Sequence, residues 1–141
     1  MSVLDNIKLA VVPKSGVAGL TENALPLLHE IRHALRRLAD FGESTTIDLR
    51  AIPFGPGDED RLLSELGEGE VSAKLNALGE TLIRETRYSG VWLIDHRNPE
   101  DERVALQIEI TRIPGLLKAQ KEDIADSLEQ LQEVLTTNIA E

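Results

Sequence analysis

The sequence predicts an α+β fold in which an antiparallel β-sheet of about four to five strands carries helices packed on one face. Three observations lead there. Apolar residues recur at three and four positions near the start of the chain and again near its end, which is the helix period, whereas between Thr45 and Thr111 the period falls to two. The period-two stretches are short and are separated by turn chemistry at Gly79, at Ser89-Gly90 and at Asn98-Pro99-Glu100-Asp101, as in an antiparallel meander. The last of them alternates most cleanly: Val104, Leu106, Ile108 and Ile110 face one way, and Arg103, Ala105, Gln107, Glu109 and Thr111 the other. One sheet face is therefore expected to be covered and the other to stay polar.

Taken in order, residues 7–12 predict a short strand stopped by Pro13 and followed by a loop through Gly16 and Gly19. Thr21 and Glu22 open a helix with Ala24, Leu28, Ile31, Leu35 and Leu38 on its apolar side and Gly42 as C-cap. Thr45, Ile47, Leu49 and Ala51 then share one side of a half-buried strand, ended by Pro53 and the Gly55-Pro56-Gly57 turn. Asp58 is expected to cap a short helix that carries Leu62, Leu63 and Leu66 as far as Gly67. Strands follow at about 69–77, 81–88, 90–97 and 103–112, and Pro114-Gly115 closes the sheet. A helix from Lys121 holds Ile124, Leu128, Leu131, Val134 and Leu135 at helical spacing, with Glu122 and Asp123 suited to its first turn by the helix dipole. No repeat, low-complexity tract or long linker divides residues 1–141, which read as a single domain.

Composition narrows the function. Hydrophobic residues make up 41% of the chain but aromatics only 3%, so the core is built from Leu, Ile, Val and Ala and the lone Trp92 stands out. The 25 acidic residues outweigh 15 Lys plus Arg, and a net charge of −10 repels both phosphate backbones and anionic headgroups. Nucleic acid and membrane surfaces are thus unexpected partners. Cysteine is absent, which removes thiolate nucleophiles, disulfides and thiolate-held zinc or iron–sulfur clusters. Asp5, Lys8, Pro13 and Lys14 interrupt any apolar run that could serve as an export signal or a membrane span, and a cytoplasmic location is expected.

The one catalytic motif is His29-Glu30-Ile31-Arg32-His33, an H-E-x-x-H match on a predicted helix. Two imidazoles so spaced share a helix face and can grip Zn²⁺ while the Glu activates a metal-bound water, so a zinc-dependent hydrolase is the alternative reading. Arg36 and Ala39 stand where the extended motif would place Gly and a third His. With about 100° between residues, both histidines lie about 130° or more from the centre of the Leu28–Ile31–Leu35 stripe, and Arg32, Arg36 and Arg37 crowd the helix with positive charge. A polar helix face accounts for them, and no catalytic residue, metal or cofactor is assigned. Gly67 and Gly69 are too few for a dinucleotide fingerprint; the first is expected to end a helix and the second to relax the turn that follows. Trp92, Ile94 and His96 project from one strand face, which leaves two placements open. Under the helices Trp92 is core; on the open face it is an exposed aromatic anchor, with Glu85 and Glu109 as flanking contacts.

One set of residues recurs at spacings that composition does not explain: Ile47-Asp48-Leu49-Arg50, Pro53, Leu66-Gly67-Glu68-Gly69-Glu70-Val71, Glu85-Thr86, Gly90-Val91-Trp92, His96, Ile108-Glu109 and Pro114. This pattern resembles the C-terminal conserved region of the HupH/HyaF-type hydrogenase expression/formation proteins, accessory factors in the maturation of nickel–iron uptake hydrogenases. Longer members carry an additional N-terminal half, many place proline where this chain has Ser89, and the H-E-x-x-H tract lies outside their pattern. The resemblance implies a non-enzymatic, chaperone-like role in which the chain binds an immature hydrogenase small subunit, the iron–sulfur carrier, or another maturation factor. Glu70, Glu85, Trp92, His96 and Glu109 are then the expected partner-binding residues. A structural homologue serving another complex is the remaining alternative.

Overall fold

The computed structural model describes residues 23–140, so the strand expected at 7–12 lies outside the described residues. Helix α1 spans Ala24–Phe41 and buries Ala24, Leu27, Ile31 and Ala34, with Leu28, Leu35 and Leu38 packed beside them. It ends at Gly42, whose left-handed backbone directs its N–H to Leu38 O at 2.9 Å, the expected cap.

Strand β1 covers Thr45–Asp48 and stops short of the expected end at Ala51. The Asp48 carboxylate accepts the Arg50 N–H at 3.0 Å, and this local bond folds Leu49–Ala51 into a 3-10 turn instead. Leu49 is nonetheless buried, delivered to the core by the turn rather than by strand alternation. Helix α2, Asp58–Leu66, is capped by Gly57 and not by Asp58. Asp58 is itself buried, and its Oδ2 accepts the Gly55 N–H at 2.8 Å and the Asn23 N–H at 3.3 Å, tying the starts of both helices to the loop between β1 and α2.

The remaining strands are β2 (Ser72–Asn76), β3 (Glu80–Glu85), β4 (Val91–Arg97) and β5 (Arg103–Ile110). With β1 they form a five-stranded sheet in the order β1-β5-β4-β3-β2, every neighbouring pair antiparallel. The two strands of the β3–β4 hairpin are shorter than expected at its loop end. Thr86 leaves β3, and its buried hydroxyl donates to Val91 O at 2.9 Å while its N–H donates to the same oxygen at 3.0 Å, closing the loop.

Helices α1 and α2 cover one sheet face. Val91, Leu93, Leu106, Ile108 and Ile110 meet Leu27, Ile31, Leu62 and Leu66 there in the main core, as the alternation of β5 requires. Arg103 fastens α2 to the same face: its Nε and Nη2 donate to the two Asp95 oxygens at 3.2 and 3.3 Å, and its Nη1 donates to Glu59 Oε2 at 3.2 Å. The hydrogen bond to Asp95 raises the Arg103 pKa above its ordinary value against the opposing effect of burial, and the charges of Asp95 and Glu59 add to the rise.

Helix α3, Lys121–Ala140, follows a 3-10 turn at Gly115–Leu117. It forms where expected but adds nothing to the helical layer, since Ile124, Leu128, Leu131, Val134 and Leu135 are all exposed. No described helix is long and apolar enough to cross a membrane.

Candidate functional site

The sheet face turned away from α1 and α2 carries the singular residues of the sequence. Alternation along β4 sends Trp92, Ile94 and His96 to this face, and antiparallel register aligns each with partners on neighbouring strands. Glu85, Trp92, Glu109 and Thr46 form one row across four strands. Ile83, Ile94 and Gln107 form the next, and Thr81, His96 and Ala105 the third.

Trp92 occupies neither of its two expected placements in full. It lies on the face away from α1 and α2, yet it is only 6% exposed. Beyond Pro114 the chain folds back, so that Leu117 packs with Ala73 and Leu75 against Ile83, Trp92 and Ile94 to make a second, smaller core. The indole N–H donates to Thr111 O at 3.1 Å, which satisfies the polar edge of a buried ring. Trp92 is thus the floor of the face rather than an anchor standing on it.

Beside that floor runs an open groove of about 700 Å³ between the sheet and the returning segment. Thr46, Ile94, His96, Gln107 and Glu109 line its sheet side, and Leu116, Lys118, Gln120 and Asp123 line the other. His96 is half-buried, and its Nδ1 shares a hydrogen bond with Thr81 Oγ1 at 3.0 Å across the β3–β4 pair, which fixes the ring plane. Apolar Ile94 and Leu116 among amide, imidazole, ammonium and carboxylate groups give a surface that can bury a partner side chain and hydrogen-bond around it.

The other two expected contact residues lie apart from the groove. Glu85 Oε1 accepts the Glu70 N–H at 3.3 Å, so this carboxylate holds the loop before β2, and Glu70 itself is exposed. The same loop explains Gly69, whose N–H donates to Glu85 O at 2.8 Å. A Cβ at Gly69 would stand 2.5 Å from Thr86 O and 2.7 Å from Glu85 Oε1, so glycine is needed for close approach to β3 rather than for an unusual turn. Sequence reasoning missed Lys118, Gln120 and Asp123, which belong to no strand pattern and reach the groove only through the return at Pro114. It also missed the Arg103, Asp95 and Glu59 cluster, in which Glu59 comes from α2, 44 residues before Arg103.

His29, Glu30 and His33 are exposed on α1. Among the described residues no three His, Asp or Glu side chains assemble as a metal-binding set.

This sheet with two helices on one face is the fold of a solved hydrogenase expression protein. The solved structure of the hydrogenase expression protein HupH from Thiobacillus denitrificans ATCC 25259 matches it with a TM-score of 0.79 and 41% identity, over 84% of this chain and 99% of that one. The family model described as HupH hydrogenase expression protein, C-terminal conserved region, matches residues 21–138, and the chain belongs to this family. The hydrogenase expression/formation protein HoxQ of Azotobacter vinelandii is 35% identical over 79% of this chain and 40% of its own length. The hydrogenase-1 operon protein HyaF of Escherichia coli (strain K12) is 29% identical over 79% of this chain and 39% of its own. The chain therefore spans about 40% of the length of these curated relatives.

Proposed function

We propose that this chain is a non-enzymatic, chaperone-like accessory factor in the maturation of a nickel–iron uptake hydrogenase, acting in the cytoplasm on the immature small, iron–sulfur-carrying subunit. The observation that carries the reading is the alignment of family-pattern residues Trp92, His96 and Glu109 on one sheet face beside an open groove. His96 and Glu109 supply hydrogen-bonding and charge, Trp92 and Ile94 form a rigid floor, and Glu85 and Glu70 offer polar contacts apart from the groove. Without cysteine the chain has no thiolate with which to take over a cluster, so binding and shielding is the mode that its side chains support. The net charge of −10 speeds encounter with a cationic segment of a precursor, an effect that salt weakens.

The test is an affinity pull-down of the tagged chain from hydrogen-grown cells of its source, with captured proteins identified by mass spectrometry. A hydrogenase subunit precursor is expected, and its recovery should fall at least about tenfold with His96→Ala plus Glu109→Ala in a protein that keeps native Trp92 fluorescence. Full recovery by that folded double variant would overturn the site assignment. Absence of every hydrogenase component while the enzyme is being made would overturn the function.

A further inference from the structure

Among the described residues, helix α3 is an amphipathic helix without a cover. Its apolar residues Ile124, Leu128, Leu131, Val134 and Leu135 are between 49% and 68% exposed, and no described element packs over them. A helix of 20 residues spans about 30 Å, and helices in water draw most of their stability from packing an apolar face. The stripe calls for an occupant, and the arrangement of charge around it identifies which kind.

We infer that α3 pairs with α3 of a second copy of this chain, forming a two-fold symmetric helix pair. The spacing from Ile124 to Leu128, Leu131 and Leu135 runs four, three, four, which is the seam of a coiled coil and is self-complementary. The helix carries five acidic residues, Glu122, Asp123, Asp126, Glu129 and Glu133, against the single cation Lys121. At about 100° per residue every one of those carboxylates lies about 110° or more from the centre of the seam. The positions that flank the seam are Ala125, Ser127, Gln132 and Val134, all uncharged. An acidic helix can therefore meet its own copy without opposing carboxylates at the contact. A cationic helix would instead be matched by acidic residues at those flanks, where none stands. The contact is short, so the association is that of a weak, concentration-dependent dimer rather than an obligate one.

Sedimentation equilibrium of the full chain from low-micromolar to sub-millimolar concentration tests this. A reversible monomer–dimer equilibrium is expected, and it should strengthen as salt rises, because screening relieves the repulsion between two chains of net charge −10. Leu131→Glu should weaken association at least about tenfold while Trp92 fluorescence stays native, since α3 is not part of either core. Glu133→Lys, on the far side of the helix, should leave the dimer intact. A wild-type chain that stays monomeric throughout would overturn the proposal and assign the stripe to another occupant. Equal dimerisation of the Leu131→Glu protein, or loss of the dimer with Glu133→Lys, would overturn it as well, because the contact would then lie elsewhere.

Discussion

Trp92 illustrates what a single side chain can settle in this fold. Its indole fills the second core and its N–H meets Thr111 O at 3.1 Å, so Phe at this position would keep most of the packing and strand a buried carbonyl. Trp92→Phe is expected to lower unfolding stability by about 1–2 kcal/mol, and Trp92→Ala by about 3–5 kcal/mol, in urea titrations followed by far-UV circular dichroism. A second residue-scale prediction concerns Gly79 in the β2–β3 turn, which adopts φ 114 and would place a Cβ 2.2 Å from Arg97 O. Gly79→Ala is expected to cost about 2–3 kcal/mol in the same assay, because backbone rather than a flexible side chain must give way. His29 and His33 yield the opposite kind of expectation: both are exposed, and protein purified without a His-tag should carry less than about a tenth of an equivalent of zinc by metal analysis.

At the scale of elements, Arg103 joins β5 to β4 through Asp95 and to α2 through Glu59. Replacing it leaves the nearly buried Asp95 carboxylate with Arg97 alone, whose Nη2 stands at 3.3 Å. Arg103→Met is expected to lower stability by about 1–3 kcal/mol, less than a fully buried pair because both Arg103 and Glu59 are partly in water. The folded-state pKa of Arg103 is raised, so its contribution is fully present below the unfolded value and is lost only as pH climbs through the raised one. Stability from this cluster should consequently be flat with respect to arginine titration across neutral pH. Local stability should also differ between elements. β4 and β5 are central and buried, whereas α3 lacks cover among the described residues, so amide hydrogen exchange should be slowest in β4 and β5 and fastest in α3.

For the whole molecule, the two faces of one sheet divide the work. The face under α1 and α2 supplies the main core, and the opposite face combines a small second core with the groove that holds His96 and Glu109. Substitutions at the groove should therefore separate binding from folding, as His96→Ala with Glu109→Ala is expected to do in hydrogenase maturation assays, whereas substitutions such as Leu106→Ala should lose both together. Net charge acts at this scale too. Capture of a cationic partner should weaken as salt rises, while the self-association of α3 should strengthen, so the two contacts respond to ionic strength with opposite sign.

The α+β class, the order of helices and strands among the described residues and the family itself were legible in the sequence, because periodicity, turn residues and motif spacing are properties of neighbouring residues. Alternation correctly sorted Leu106, Ile108 and Ile110 from Gln107 and Glu109, but it put Val104 on the covered face and Arg103 on the open one, whereas the register shift beside Arg97 leaves Val104 exposed and turns Arg103 toward α2. It misplaced Ala51 and assigned the α2 cap to Asp58, because local side-chain bonds from Asp48 and Asp58 competed with the pattern. What lies over each face was settled only by tertiary structure. Trp92 is buried on the open side because Leu117, beyond Pro114, packs there with Ala73 and Leu75, and the stripe of α3, with the same periodicity as the buried stripe of α1, is left uncovered among the described residues. Period fixes which residues point together; whether they meet protein or water depends on segments distant in the chain, and no local pattern encodes that encounter.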